Sequence, residues 1–177
     1  MSTSALSSVA AQVEASPDSG YIQFVSSLDS ILTEVMTAGD IEEEITANKP
    51  SITEEQTAKI LAFAKNMLGQ SLVWGGASPT QGFDCSGLVQ YVYSQVGIHL
   101  PRTADLQFLV GRTVPLTELQ PGDLVYFTTY EAGASHVGIY IGGDEFIHTS
   151  SSKGVVAIGN MHESYFVERF YGAKRVQ

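Results

Sequence analysis

The stretch Ser135-His136-Val137-Gly138-Ile139-Tyr140-Ile141-Gly142-Gly143-Asp144-Glu145-Phe146-Ile147-His148-Thr149 decides how this chain folds. Val137, Ile139 and Ile141 alternate with small or polar residues, the period of a strand with one buried face. Gly142-Gly143-Asp144 supplies turn chemistry, and the chain returns through a second β-rich run. If three residues form the turn, Ile141 faces Glu145 and Ile139 pairs with Ile147 in the core. His148 then lies opposite Gly138, diagonal to His136 on the same face. Slipping the register by one residue would drive His148 into the core, so the apolar pattern selects the pairing that joins the two histidines.

Around this hairpin, Leu124–Phe127, Val155–Ile158 and Tyr171–Arg175 also read as short strands between turn residues. Helical patterns precede them. Thr53 with Gln56 is a capping-box signature, Glu54 and Glu55 suit a helix N-terminus, and Ile60, Phe63, Ala64, Met67 and Leu68 form an apolar face ending at Gly69. Leu88, Val89, Val92 and Val96 form a second, closing at Gly97, and Thr103–Val110 a shorter third that stops at Gly111. Helices first and strands afterwards predict an α+β domain with a mainly antiparallel sheet.

The chain has 177 residues and a hydrophobic content of 44%, enough for one domain and an appendage. Net charge is −10, but it is uneven: residues 1–55 hold ten acids and one base, while 56–177 hold nine acids and eight bases. We divide the chain into an acidic N-terminal helical extension, 1–50, and a domain, 51–177. In the extension, Tyr21, Val25, Leu28, Leu32 and Val35 fall on one helix face, widened by neighbours up to Met36. That Tyr21–Met36 helix needs a surface to pack on, within the chain or on a partner. The charge argues against nucleic acid and anionic membranes as partners, and no apolar run is long enough for a membrane span. The first twenty residues lack the basic and apolar runs of a secretory signal, which leaves the export route open.

Cys85 is the only cysteine. Asp84 before it is a good helix N-cap, which puts Cys85 in a first turn where free N–H groups and the helix dipole favour a thiolate. The same N–H groups suit an oxyanion. With His136 as general base and acid and His148 as orienter, Cys85 completes a nucleophile–base–orienter set. His99, beside a proline turn, and His162, in a polar loop, read as surface residues. His136 and His148 lack companions at metal-ligand spacing, so no metal is expected.

Taken together, Trp74-Gly75-Gly76, Phe83-Asp84-Cys85-Ser86-Gly87-Leu88-Val89, Leu100-Pro101-Arg102-Thr103, Gln120-Pro121-Gly122-Asp123-Leu124, His136-Val137-Gly138-Ile139-Tyr140-Ile141 and Phe146-Ile147-His148 resemble the NlpC/p60 cell-wall cysteine peptidases over roughly 53–177. The resemblance implies a papain-like fold, no cofactor, and action at the cell wall. It also implies that a thioester acyl-enzyme cleaves the D-γ-glutamyl–diamino acid bond of peptidoglycan stem peptides. Cys85, His136 and His148 match its catalytic positions, and Asp84, Ser86, Trp74, Ser135 and Arg102 are the candidate substrate-binding residues. Where many members carry a tyrosine, two residues before Trp74, this chain has Leu72. From the residues themselves two other functions stay open: a Cys–His amidase or transferase acting on a non-wall amide, and an inactive wall-binding or interaction module.

Overall fold

A computed structural model describes residues 52–177. The expected Tyr21–Met36 helix lies outside the described residues. Within them the chain runs α1 (Glu54–Asn66), β1 (Ala77–Ser78), β2 (Gly82–Phe83), α2 (Cys85–Ser94), α3 (Ala104–Gln107), β3 (Arg112–Thr113), β4 (Leu124–Phe127), β5 (His136–Gly142), β6 (Glu145–Ser150), β7 (Val155–Asn160), α4 (Ser164–Val167) and β8 (Phe170–Arg175). Strands β3-β8-β4-β5-β6-β7 form one sheet in that order, and β1 and β2 form a separate pair. Every paired neighbour in both sheets is antiparallel, as the order of helices and strands predicts.

The helices start where the caps say they should. Thr53 Oγ1 accepts from Gln56 N at 3.2 Å while Gln56 Oε1 accepts from Thr53 N at 3.0 Å, so the capping box closes in both directions. Asp84 caps α2 by accepting from Gly87 N at 2.7 Å. The third helix is shorter than the Thr103–Val110 pattern: only Ala104–Gln107 is α-helical, and Leu106 and Leu109 stay exposed, so they bury little to reward a longer run.

Both faces of the large sheet are buried, where the apolar alternation predicts one. Leu124, Tyr126, Val137, Ile139, Ile147 and Val156 pack beneath α1 and α2, against Ile60, Ala64, Leu88, Val89 and Val92. On the opposite face Val125, Phe127, Tyr140, Phe146 and Ala173 form a second cluster with Phe166 of α4. His136 and His148 belong to this second face, with Phe127, Phe146 and Phe166 rings close by. Polar ties fix the frame: Arg175 grips Asp123 with two 2.7 Å bonds, and Tyr93 Oη donates to Gly122 O.

The hairpin has the predicted core register, Ile139 opposite Ile147 and Tyr140 opposite Phe146, but Gly142 rather than Ile141 faces Glu145. The turn is therefore two residues, Gly143-Asp144, both at positive φ, and Ile141 is the extra residue of a bulge. Two glycines make space across the ladder. A Cβ on Gly138 would meet Phe146 Cδ2 at 2.5 Å, Ile147 O at 3.1 Å and His148 Cβ at 3.3 Å. A Cβ on Gly159 would meet Phe146 Cζ at 2.8 Å and His148 Nε2 at 3.1 Å. Gly138→Ala therefore overpacks the second core, and we expect it to cost about 1–3 kcal/mol in urea unfolding. An equal loss for Ala at the exposed residue Ser151 would remove the packing explanation.

Candidate active site

The ends of several elements surround one cleft of ≈ 480 Å³. In an antiparallel sheet the β4–β5 loop, the start of β5, the end of β6 and the β6–β7 turn share one edge, and all four contribute to the lining, through Tyr130, His136, Thr149 and Lys153 among others. Cys85 at the N-terminus of α2 lines it as well, together with Leu72, Trp74, Asp84 and His148.

Helix α2 is anchored beside this edge by one carboxylate. Besides Gly87 N, Asp84 accepts from Gly75 N at 2.9 Å and takes a two-armed contact from Arg102, at 2.9 and 2.6 Å. Burial alone would raise the Asp84 pKa, but the Arg102 guanidinium and the two backbone N–H groups outweigh it and hold the carboxyl below its ordinary range. Arg102 also donates to Ser86 Oγ at 3.1 Å. Gln107, fully buried, donates to the Ser86 and Pro101 carbonyls at 3.0 and 2.8 Å. Gly87 is required as well, since a Cβ there would sit 2.1 Å from Gly76 O.

The thiol of Cys85 is buried. The helix N-terminus predicted a thiolate, but burial pushes the thiol up above its ordinary pKa; the backbone groups of Val137, Ser86 and Cys85 itself act the other way, and the Asp84 charge adds to the rise. The neutral thiol is the resting form. Desolvation wins because the helix and sheet that position the sulfur also exclude water from it.

His136 Nε2 lies 2.8 Å from His148 Nδ1, with the rings perpendicular. Burial pulls His136 down to about 4. It pulls His148 down to about 3, helped by the charges of His136 and Lys153. Both imidazoles are neutral near pH 7, so one donates to the other. When Nε2 of His136 is the donor, its Nδ1 is left with a lone pair able to take a proton.

The cleft thus brings together Cys85, His136, His148, Asp84 and Trp74. Ser86, Ser135 and Arg102 are outside its lining. Ser86 and Arg102 support the α2 terminus, and Ser135 Oγ accepts from Thr129 N at 2.8 Å, bracing the β4–β5 loop. His99 and His162 are exposed, the latter 3.0 Å from Asp144. Sequence reasoning missed Tyr130, Lys153 and Glu163, in turns or bends, and Tyr165 in the short helix α4. Tyr130 packs edge-on against Trp74, centroids 5.2 Å apart, in the cleft that Leu72 also lines. Burial and then the Cys85 charge push its phenol up to about 12, so it remains a hydrogen-bond donor. No group of three or more metal-ligating side chains occurs among the described residues, and no helix among them is long and apolar enough to cross a membrane.

The chain that builds this site is similar to known proteins. Over 148 residues the chain is 35% identical to Gamma-DL-glutamyl hydrolase of Bacillus subtilis, covering 82% of this chain and 34% of that protein. It is 41% identical over 127 residues to Murein DD-endopeptidase MepH of Escherichia coli, 68% of this chain and 47% of that one. The chain thus spans a third to a half of the length of these relatives. Among solved structures, an NLP/P60 family protein similar to lipoprotein from Staphylococcus aureus superposes with a TM-score of 0.66 at 36% identity, over 73% of this chain and 44% of the other. The NlpC/P60 family profile matches residues 69–175, from the edge segment before Leu72 to the last residue of β8. The chain belongs to the NlpC/P60 family.

Proposed function

We propose that this protein is a peptidoglycan endopeptidase of the cell wall, a cysteine peptidase that cuts the D-γ-glutamyl–diamino acid bond of the stem peptide. The observation that carries the reading is the 2.8 Å His136–His148 contact in a cleft that also holds the only cysteine. The names of the relatives support hydrolysis of γ-glutamyl and murein bonds. They point to two different bonds, so the choice between them belongs to experiment.

In this mechanism His136 Nδ1 removes the Cys85 proton as sulfur attacks the scissile carbonyl carbon. The resulting oxyanion is held by the backbone N–H groups around the α2 terminus. His136 then passes its proton to the leaving amine, the C–N bond breaks, and a thioester remains. Water, deprotonated by His136, adds to the thioester, and sulfur departs as thiol with that proton. His148 accepts from Nε2 of His136 throughout and fixes the tautomer. Being neutral, it orients the base without supplying a counter-charge. Starting from neutral thiol and neutral imidazole, the proton moves only when a substrate carbonyl is in place, which keeps an unoccupied site unreactive.

Cys85→Ala is expected to abolish cleavage while leaving the fold intact. The measurement is mass spectrometry of fragments released from purified peptidoglycans containing meso-diaminopimelate or L-lysine. Cysteine-dependent ends at D-γ-glutamate support the reading; wild-type-like release by the variant, or cuts only at a D,D bond, reject it.

Two pH dependences follow from the depressed histidine pKa values. Activity requires neutral His136, so kcat/KM should hold down to roughly pH 5 and fall as His136 protonates at about 4. An acid limb above pH 6 would argue against the neutral resting pair. Stability has its own window. The unfolded histidines protonate near about 6.5, whereas the folded ones resist until about 4 and about 3. The unfolded state therefore binds more protons on acidification, and stability is lost as pH falls from about 6.5 towards 3–4. His136→Asn with His148→Asn should flatten the melting temperature across that window, and an unchanged slope would assign the effect to other groups.

A further inference from the structure

The charges of the cleft are not equivalent. Apart from the cysteine and histidines, its charged lining residues are Asp84, Lys153 and Glu163. Asp84 is compensated by Arg102, and Glu163 Oε1 accepts from Asn160 N at 3.1 Å. Lys153 makes no ion pair among the described residues; its ammonium only reaches Ile158 O, at 3.4 Å. It is the one cation in the lining.

The backbone beneath it is held in place. Lys153 N donates to Ser150 Oγ at 3.3 Å, Ser150 Oγ is 3.1 Å from Ser152 Oγ, and Gly154 N donates to Ser150 O at 2.8 Å. Gly154, at φ 70°, allows the turn, and its carbonyl accepts from Leu72 N at 2.8 Å. A fixed base thus presents an exposed cation and the exposed Ser151 and Ser152 to the cleft. The Lys153 charge also opposes protonation of His148, the partner of His136. An anion delivered by the substrate would relieve that opposition.

We propose that Lys153, with the hydroxyls of Ser151 and Ser152, is a carboxylate-binding subsite that reads a free carboxylate beside the scissile amide. The inference rests on the endopeptidase reading above. That substrate offers two such groups. A γ-linked D-glutamyl residue keeps its α-carboxylate free, and meso-diaminopimelate carries a second carboxylate that L-lysine lacks. The shared chemistry is a carboxylate accepting from an ammonium and hydroxyls.

Three stem peptides tell the sources apart: one with D-glutamate and meso-diaminopimelate, one with the D-glutamate α-carboxylate converted to the amide, and one with L-lysine. Steady-state kinetics of the full chain are measured with wild type, Lys153→Met, Lys153→Arg and Lys153→Glu. Lys153→Met is expected to raise KM about tenfold for the first peptide, the worth of one charge-assisted hydrogen bond, with a much smaller change in kcat. Arg should restore most of the loss and Glu deepen it. If the amide peptide alone is insensitive to Lys153→Met, the α-carboxylate is the group read; if the L-lysine peptide alone is insensitive, it is the diaminopimelate carboxylate. Wild-type KM and selectivity in Lys153→Met for all three peptides would overturn the subsite while leaving the endopeptidase standing. Failure of the wild type to cleave any of them, or the two peptidoglycans, would overturn the endopeptidase and the subsite with it.

Discussion

The site depends on a single half-buried group, the Asp84 carboxylate. It caps α2, holds Gly75 N on the preceding turn and binds Arg102 with both oxygens. Without that acceptor four separate donors, Ser86 Oγ being the fourth, would lose a partner in a partly desolvated place. The position of the Cys85 sulfur follows from it, because the first residue of a helix moves with its cap. Arg102 in turn reaches Ser86, and Gln107 ties the same turn to Pro101. Arg102 and Ser86 thus serve as scaffolding behind the nucleophile candidate, and an Arg102 substitution would act on Cys85 through Asp84.

On the other side of the cleft the constraint is steric. A histidine pair at 2.8 Å must occupy space that neighbouring strands normally fill with side chains. Gly138 and Gly159 leave that space open, and the Phe127, Phe146 and Phe166 rings close it to water. The same packing explains the chemistry. Rings that fix the imidazoles also desolvate them, and desolvation drives both histidines neutral and the thiol protonated. Rigid positioning and a neutral resting site have one physical cause.

What could be read in the sequence is what local periodicity and capping encode. The β4 boundaries, the capping box at Thr53, the Asp84 cap and the Ile139–Ile147 register depend on residues close together in the chain or on a strict period of two, and they appear as read. The turn length was misjudged because a bulge at Ile141 absorbs one residue without changing the core pairing. The thiolate expectation considered the helix terminus alone, whereas burial is a property of the assembled domain. Tyr130 and Lys153 lie in turns, where no period announces that a side chain will face a cleft. The role of Phe166 depends on α4 folding back beneath β5 and β6, a contact between distant segments.

This division between what is legible and what is not matches a division within the site. Its floor is made of regular elements: the α2 terminus, the start of β5, the end of β6. These hold the Cys–His–His group, and their geometry follows from short-range rules. Its walls are mostly turns and loops, Leu72 to Trp74, Tyr130, Ser151 to Lys153 and Glu163, with Tyr165 added from the short helix α4. Loops can exchange residues without disturbing the sheet, so the walls are where substrate choice can vary while the chemistry stays the same. In this chain the walls carry an apolar Leu72, an edge-on Trp74–Tyr130 pair, and one cation without an ion pair among the described residues. On the endopeptidase reading, substrate selection is to be sought in those residues, and amide cleavage in the floor beneath them.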